Sequence, residues 1–155
     1  MPRKSVRENK SIYQISRENA GLTREAASNA IQFISDDRIE NIESGRTLPQ
    51  PEDVLEMARA YHDPLLTNIY CSTHCPIGRK YVPALSEKEL SQITLEVLNN
   101  INALYSSRER LIDITVDGTI SPEEMPDFTA IHDQLKKLSE ASGTLQLWLE
   151  KKLEM

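Results

Sequence analysis

Residues 36–52 constrain the fold of this chain more than any other segment, because they encode a short helix, its end and the start of the next helix. Ile39 and Ile42 are three residues apart, so they share one side of the first helix. Gly45 can adopt the left-handed conformation that ends a helix. Pro51 suits the first position of the following helix, where its missing N–H costs nothing. The segment therefore predicts two short helices joined by a tight turn.

The helical spacing of apolar residues continues on both sides and predicts five short helices within residues 11–71. Thr23 and Ser35 are suitable N-caps for the second and third helices, and Asp63-Pro64 precedes the fifth. Residues 72–85, with their two prolines, interrupt the pattern and are predicted to be a linker. The side chains expected to face the core from the first, second and fourth helices are Ile12, Ile15, Ala26, Ala27, Ala30, Ile31, Val54, Leu55, Ala58 and Tyr61.

Residues 86–155 have a simpler pattern. Ser86 and Glu89 form a capping box before a predicted helix of about thirty residues. Asp117-Gly118 is expected to break this helix, and a last helix is expected to begin near Ser121. Two long helices joined by a tight turn form an antiparallel hairpin, which buries little surface alone. Since two such hairpins make a four-helix bundle, we expect residues 86–155 to form a homodimer.

The composition supports an all-α protein, because leucine, isoleucine, alanine and glutamate outweigh the few aromatic residues. No apolar run approaches the ~20 residues of a membrane span, and the basic N-terminus lacks the apolar stretch of a secretory signal. We therefore expect a cytoplasmic protein whose two cysteines are thiols. The sequence contains neither a glycine-rich phosphate loop nor a plausible nucleophile–base set, so we expect no catalytic residues and no enzymatic activity.

The net charge of −6 is unevenly distributed along the chain. Residues 1–50 hold 8 basic and 7 acidic side chains, whereas residues 81–155 hold 7 and 13. The acidic excess therefore belongs to the C-terminal half. Residues 1–10 carry Arg3, Lys4, Arg7 and Lys10, and such a flexible basic arm either lies on phosphates or is simply solvated.

Residues 11–63 resemble the lambda-repressor-like (Cro-type, XRE) family of helix-turn-helix DNA-binding domains. The matching residues are Gly21-Leu22-Thr23-Arg24-Glu25, Ser35, Ile39, Ile42-Glu43-Ser44-Gly45-Arg46, Pro49 and the helix from Val54 to Tyr61. One departure is the turn between the second and third helices, where Gln32-Phe33-Ile34 replaces the family's usual glycine. The resemblance implies a five-helix domain at residues 11–71 that binds double-stranded DNA.

The resemblance also implies which residues meet DNA, with the third helix entering the major groove. Arg38 is expected to bond guanine, Asn41 to bond adenine, and Arg46 to meet a phosphate. Arg24 stands where the family usually has a glutamine that touches DNA. The residues assigned to DNA on this basis are Arg24, Ser35, Asp36, Asp37, Arg38, Asn41 and Arg46. We expect a sequence-specific regulator, a repressor that acts as a homodimer.

The acidic side chains of the third helix favour an alternative. Asp36, Asp37 and Glu40 place three carboxylates on or beside the reading face, where they would repel phosphates. The alternative function is an adaptor that keeps the helix-turn-helix fold and binds a basic protein partner through this helix.

Two segments resemble metal sites, and for both a structural role explains the residues better. Cys71, His74 and Cys75 form a cluster of three zinc ligands, but a zinc site needs four. Residues 113–124 are similar to a calcium-binding EF-hand loop, although Asp117-Gly118 also makes a turn and Ser121 with Glu124 also caps a helix. We therefore expect no metal and no cofactor.

Overall fold

The computed structural model describes residues 9–153, and within them the fold is all-α, as the composition predicted. The helices are α1 (Ile12–Asn19), α2 (Arg24–Ile31), α3 (Asp36–Glu43), α4 (Pro51–Tyr61), α5 (Leu65–Thr73), α6 (Gly78–Tyr81), α7 (Leu90–Ser106), α8 (Arg108–Thr115) and α9 (Met125–Leu153). The chain divides into two compact units. The first runs to Ala84 and includes the chain from Glu150 on, and the second is Leu85–Leu149.

Side-chain caps start the first three helices of the N-terminal unit. The hydroxyl oxygens of Ser11, Thr23 and Ser35 accept hydrogen bonds from backbone N–H groups in the first turns of α1, α2 and α3, at 3.3, 3.1 and 3.3 Å. These bonds satisfy N–H groups that have no partner inside a helix. The N-caps predicted at Thr23 and Ser35 are confirmed.

The core of this unit lies between α1, α2, α3, α4 and α5. Its fully buried side chains include Ala27, Ile39, Val54, Met57 and Leu66. The predicted inward positions of Ile31, Ala58 and Tyr61 are also confirmed.

Three predicted core positions are wrong, because Ile15, Ala30 and Leu55 are exposed. In α1 the inward face carries Tyr13, Ser16 and Arg17 instead. Apolar periodicity misplaces this helix because three of its four buried side chains, Gln14, Ser16 and Arg17, are polar. The charge of Arg17 is balanced by a carboxylate from α3. In α4, Met57 takes the place expected for Leu55.

The turn between α2 and α3 keeps its tight geometry without glycine. Gln32 adopts a left-handed backbone conformation, with φ of 64°, which costs a non-glycine residue about 1–2 kcal/mol. The Ser28 hydroxyl donates a hydrogen bond of 2.7 Å to the carbonyl oxygen of Ile34 and so closes the turn. Phe33, within the turn, is 85% exposed.

The segment predicted as a linker contains the helical turn α6, which packs on α5. Gly78 approaches the backbone of Cys71 so closely that a Cβ atom would overlap the Cys71 carbonyl. The Asn68 side-chain amide also donates a hydrogen bond of 3.0 Å to the Pro83 carbonyl oxygen. Residues 72–85 are therefore more ordered than their two prolines suggested.

The second unit contains an antiparallel hairpin, with α7 and α8 along one side and α9 up to Leu149 along the other. The Ser107 hydroxyl donates to the Gln134 side chain at 3.1 Å, and Arg110 pairs with Asp127 at 2.8 Å. The residue number rises from Ser107 to Arg110 on one side and falls from Gln134 to Asp127 on the other, so the two sides are antiparallel. Asp117 and Gly118 form the predicted turn, where φ of Gly118 is 76°.

The helix boundaries of the hairpin differ from the predictions. The first helix begins at Leu90 rather than Ser86 and is divided at Ser107, whose hydroxyl also bonds back to the carbonyl oxygen of Ala103. Such back-bonding bends helices. The last helix begins at Met125 rather than Ser121, although the predicted bond from the Ser121 N–H to the Glu124 carboxylate is present at 2.9 Å.

Replacement of Tyr13 by phenylalanine is expected to reduce the loss of stability in alkali. Burial, helped by the neighbouring Tyr70, raises the pKa of Tyr13 from 10.0 to about 12. The unfolded chain therefore ionises first, and the stability present below pH 10 is lost as the pH rises towards about 12. Because the buried Tyr13 hydroxyl has no partner among residues 9–153, Tyr13→Phe should be at least as stable as the wild type at neutral pH.

Urea denaturation at neutral and alkaline pH checks this prediction. The control is Tyr81→Phe, since the Tyr81 side chain is exposed. An alkaline loss in Tyr13→Phe as large as in the wild type would show that the buried phenol does not contribute.

Candidate nucleic-acid interface

Helix α3 has one buried face and one face open to solvent. Ile39, Ile42 and Glu43 are buried against the domain. Asp36 and Asp37 at its N-terminal end are exposed, and Arg38, Glu40 and Asn41 are partly exposed. A recognition helix needs this arrangement, because its N-terminal residues contact base edges while its other face packs on the domain.

A buried carboxylate fixes α3 to the first two helices. The side chain of Glu43 is only 1% exposed, and it pairs with Arg17 of α1 at 2.6 Å and with Arg24 of α2 at 3.0 Å. Arg17 also donates to the Leu22 carbonyl oxygen at 2.7 Å. Charge-assisted, two-pronged hydrogen bonds of this kind are strong and directional. The Glu43 clamp, meaning Glu43 with Arg17 and Arg24, therefore sets the position of α3 relative to α1 and α2.

Arg38 is held by a carboxylate of the next helix. Its Nε and Nη2 atoms lie 3.1 and 2.6 Å from the two carboxylate oxygens of Asp53 in α4. Asp53 also accepts a hydrogen bond from the Gln50 backbone N–H at 2.7 Å. Burial alone would raise the pKa of Asp53. The hydrogen bonds from Arg38 and Gln50 have the opposite effect and outweigh it together, so the pKa lies below the ordinary value of 3.8.

Asn41 and Arg46 form the C-terminal end of α3 and the turn after it. The Asn41 carbonyl oxygen accepts from the backbone N–H groups of Arg46 and Thr47 at 2.9 and 3.2 Å. Gly45 has φ of 74°, which agrees with its predicted role as a helix stop. The guanidinium of Arg46 is exposed and lies 3.5 Å from the Asn41 side-chain oxygen.

The predicted DNA residues thus fall into three groups. Ser35 caps α3 with its hydroxyl, while Asp36 and Asp37 project into solvent. Arg24, at the start of α2, and Arg38, on α3, are both paired with carboxylates, those of Glu43 and Asp53. Arg24 also lies 3.6 Å from Glu40. Asn41 and Arg46 lie together at the end of the helix, and no ion pair of Arg46 is found within residues 9–153.

Sequence reasoning missed the residues that hold these arginines. Glu43 matched the family pattern without a role, whereas Arg17 and Asp53 were not identified. Arg17 and Glu43 are 26 positions apart, and Arg38 and Asp53 are 15 apart. No local spacing rule reaches that far in a single sequence. The one available signal was the presence of charged residues at helical core spacing.

The basic arm lies mostly outside the described residues, which exclude Arg3, Lys4 and Arg7. Lys10, the last cation of the arm, forms an ion pair of 2.6 Å with Glu18.

In the two segments that resemble metal sites, Cys75 and Asp117 accept hydrogen bonds from backbone N–H groups. Cys71 and Cys75 are free thiols, and the Cys75 sulfur accepts from the Gly78 N–H at 3.4 Å. Asp117 accepts from the Thr119 N–H at 2.9 Å and stabilises the hairpin turn. Within residues 9–153, no three histidine, cysteine, aspartate or glutamate side chains are grouped as a metal ion requires.

A comparison with protein families supports the assignment of the N-terminal unit. Residues 14–63 match the family model described as a helix-turn-helix domain. The match covers α2, the turn, α3 and α4, together with most of α1. Neither curated proteins nor solved structures give a match. Within the part of the chain that the structure describes, no helix combines the length and the apolar character needed to cross a membrane.

Proposed function

We propose that this protein is a sequence-specific DNA-binding regulator of the Cro-type (XRE) class. The observation that carries the proposal is the helix-turn-helix domain, in which α3 presents its N-terminal end to solvent. The Glu43 clamp supports it, because a recognition helix must be held rigidly to discriminate base edges. In this function α3 lies in the major groove.

Each predicted DNA residue has a proposed role. Asn41 forms a two-pronged contact with adenine, and Arg38 one with guanine. Arg46 contacts a phosphate, and Arg24 touches DNA from the start of α2. Asp36 and Asp37 discriminate by accepting from a cytosine amino group. Ser35 positions the start of α3 through its cap.

The homodimer is proposed to form through residues 86–155. Apolar side chains at spacings of three and four residues share one face of a helix. In α7, Leu98, Ile101 and Tyr105 form such a stripe, and all three are exposed. In α9, Leu145 and Leu149 are exposed as well. A second hairpin would bury both stripes in a four-helix bundle. The dimer would place two copies of α3 on half-sites about one helical turn apart.

The proposal also covers the mode of regulation, the absence of enzymatic activity and the location of the protein. A dimer that occupies its site excludes other proteins from it, and this favours repression. The protein acts without enzymatic activity, because its proposed function needs only binding. A cytoplasmic location is part of the same proposal, because the protein would meet its DNA partner there.

Replacement of Arg46 by alanine is expected to weaken binding to duplexes of any sequence. A phosphate contact carries no sequence information, and its loss should reduce the slope of log affinity against log salt by about 0.9. Fluorescence anisotropy over a salt series measures both quantities. The control is Arg59→Ala, which removes another exposed arginine, one that lies on α4 and pairs with Glu56. Equal effects of the two substitutions would contradict the role of Arg46.

A second candidate function is an adaptor that binds a basic protein, and the charges of α3 favour it. Asp36 and Asp37 have no cationic partner within residues 9–153, whereas Arg24 and Arg38 are neutralised by carboxylates. Phe33, in the turn before α3, offers an exposed aromatic ring as an apolar contact. The double substitution Asp36→Asn/Asp37→Asn separates the candidates, because it should create duplex binding in an adaptor and alter the preferred sequence of a regulator.

A further inference from the structure

The pair between Arg38 and Asp53 is built so that the carboxylate is fixed and the arginine can leave. The Asp53 side chain is 11% exposed and is anchored by the Gln50 N–H at the start of α4. The Arg38 side chain is 37% exposed and lies on the solvent side of α3. If a ligand draws the Arg38 guanidinium away from the domain, the Asp53 carboxylate therefore stays in place and the ion pair breaks.

Two ligands on DNA would compete with Asp53 for Arg38 in different ways. A phosphate attracts the charge of the guanidinium at any position along the duplex. Guanine offers two acceptors, O6 and N7, in an arrangement that matches the fork that Arg38 now uses on Asp53. The exposed acids Asp36 and Asp37 weaken the pull of phosphates further, because they repel the backbone.

We propose that Asp53 is a specificity-determining residue that withholds Arg38 from phosphates and releases it to a correctly placed guanine. This inference rests on the proposed DNA binding. Its consequence is that Asp53 lowers the affinity for mixed-sequence DNA more than the affinity for the cognate site.

The test is Asp53→Asn, which keeps an oxygen for the Gln50 N–H and removes the charge. Anisotropy with a mixed-sequence duplex should show an affinity about tenfold higher at low salt, with a salt slope steeper by about 0.9 for one added phosphate contact. The affinity for the cognate duplex should rise less, so that the ratio of the two affinities falls. Asp53→Gln, which also suits the third position of a capping box, repeats the test if the shorter side chain unfolds α4.

The matched control is Glu56→Gln, which makes the same change in net charge on the same helix and releases Arg59 instead. If Glu56→Gln raised the affinity for mixed-sequence DNA as much as Asp53→Asn, the inference would be overturned, because the increase would be a general effect of net charge. The gain should also disappear in Arg38→Ala/Asp53→Asn, and its persistence there would overturn the role of Arg38.

The outcomes separate this inference from the proposed function. If the wild type binds a cognate duplex and Asp53→Asn gains nothing on mixed DNA, the inference fails and the function stands. If only Asp53→Asn binds DNA, the function of the wild type fails and the restraint by Asp53 is supported. If neither protein binds any duplex, both are overturned.

Discussion

Replacement of Glu43 by alanine is expected to lower the free energy of unfolding by about 3–5 kcal/mol, the range for removing one partner of a buried ion pair. The Glu43 carboxylate accepts three hydrogen bonds from Arg17 and Arg24. Without it, Arg17, whose side chain is 8% exposed, keeps its hydrogen bond to the Leu22 carbonyl oxygen but loses the carboxylate that balances its buried charge. Since small domains are stable by only about 5–15 kcal/mol, this loss is a large share of the free energy of unfolding of the N-terminal unit.

Urea denaturation followed by circular dichroism measures this loss. The control is Glu109→Ala, because Glu109 is 82% exposed and its pair with Arg108 spans 3.5 Å. Exposed pairs contribute little, so no measurable change is expected there. A second variant, Arg17→Met/Glu43→Leu, should recover most of the stability, because it removes both buried charges and refills the space. The remaining charge of the clamp, Arg24, is 36% exposed and lies 3.6 Å from Glu40. If Glu43→Ala is as stable as Glu109→Ala, the clamp does not hold α3.

Replacement of Ile101 by glutamate is expected to convert a dimer into a monomer. Ile101 is 45% exposed at the middle of the apolar stripe of α7, with Leu98 and Tyr105 on either side. In the proposed four-helix bundle this side chain would be enclosed, and a buried, unpaired carboxylate costs several kcal/mol. The dimer dissociation constant should therefore rise by more than about a hundredfold.

Light scattering over a range of protein concentrations gives the mass of each variant. Asn99→Glu introduces the same charge at an exposed position on another side of α7 and should remain dimeric. A monomeric wild type would contradict the dimer directly. Equal masses for wild type and Ile101→Glu, both dimeric, would place the interface elsewhere.

The parts of the fold that depend on neighbouring residues could be predicted from the sequence. Ser35 caps α3, Gly45 ends it and Pro51 starts α4, because each acts through its own backbone conformation or through bonds within one turn. The hairpin turn at Asp117-Gly118 was predictable for the same reason. The break at Ser107 was not, because back-bonding of the kind seen there also occurs at Thr94 and Thr144, where the helices continue. The further bond from Ser107 to Gln134 depends on the opposite helix.

The candidate site was predictable in its position and not in its electrostatics. The pattern around Ile39, Ile42 and Gly45 located α3 and its exposed face. It gave no sign that Asp53 would neutralise Arg38, or that Glu43 would bind Arg24, because these pairs form only after the helices pack together. The roles of these arginines on DNA stay predictions.

Sequencing of the genomic DNA fragments that the purified protein retains is the most direct test of the proposed function. We expect an enriched inverted repeat with half-sites about one helical turn apart. We also expect Arg38→Ala to relax the preference at a guanine within each half-site. The absence of any enriched sequence at low salt, where phosphate contacts are strongest, would contradict DNA recognition by α3 and favour a basic protein partner instead.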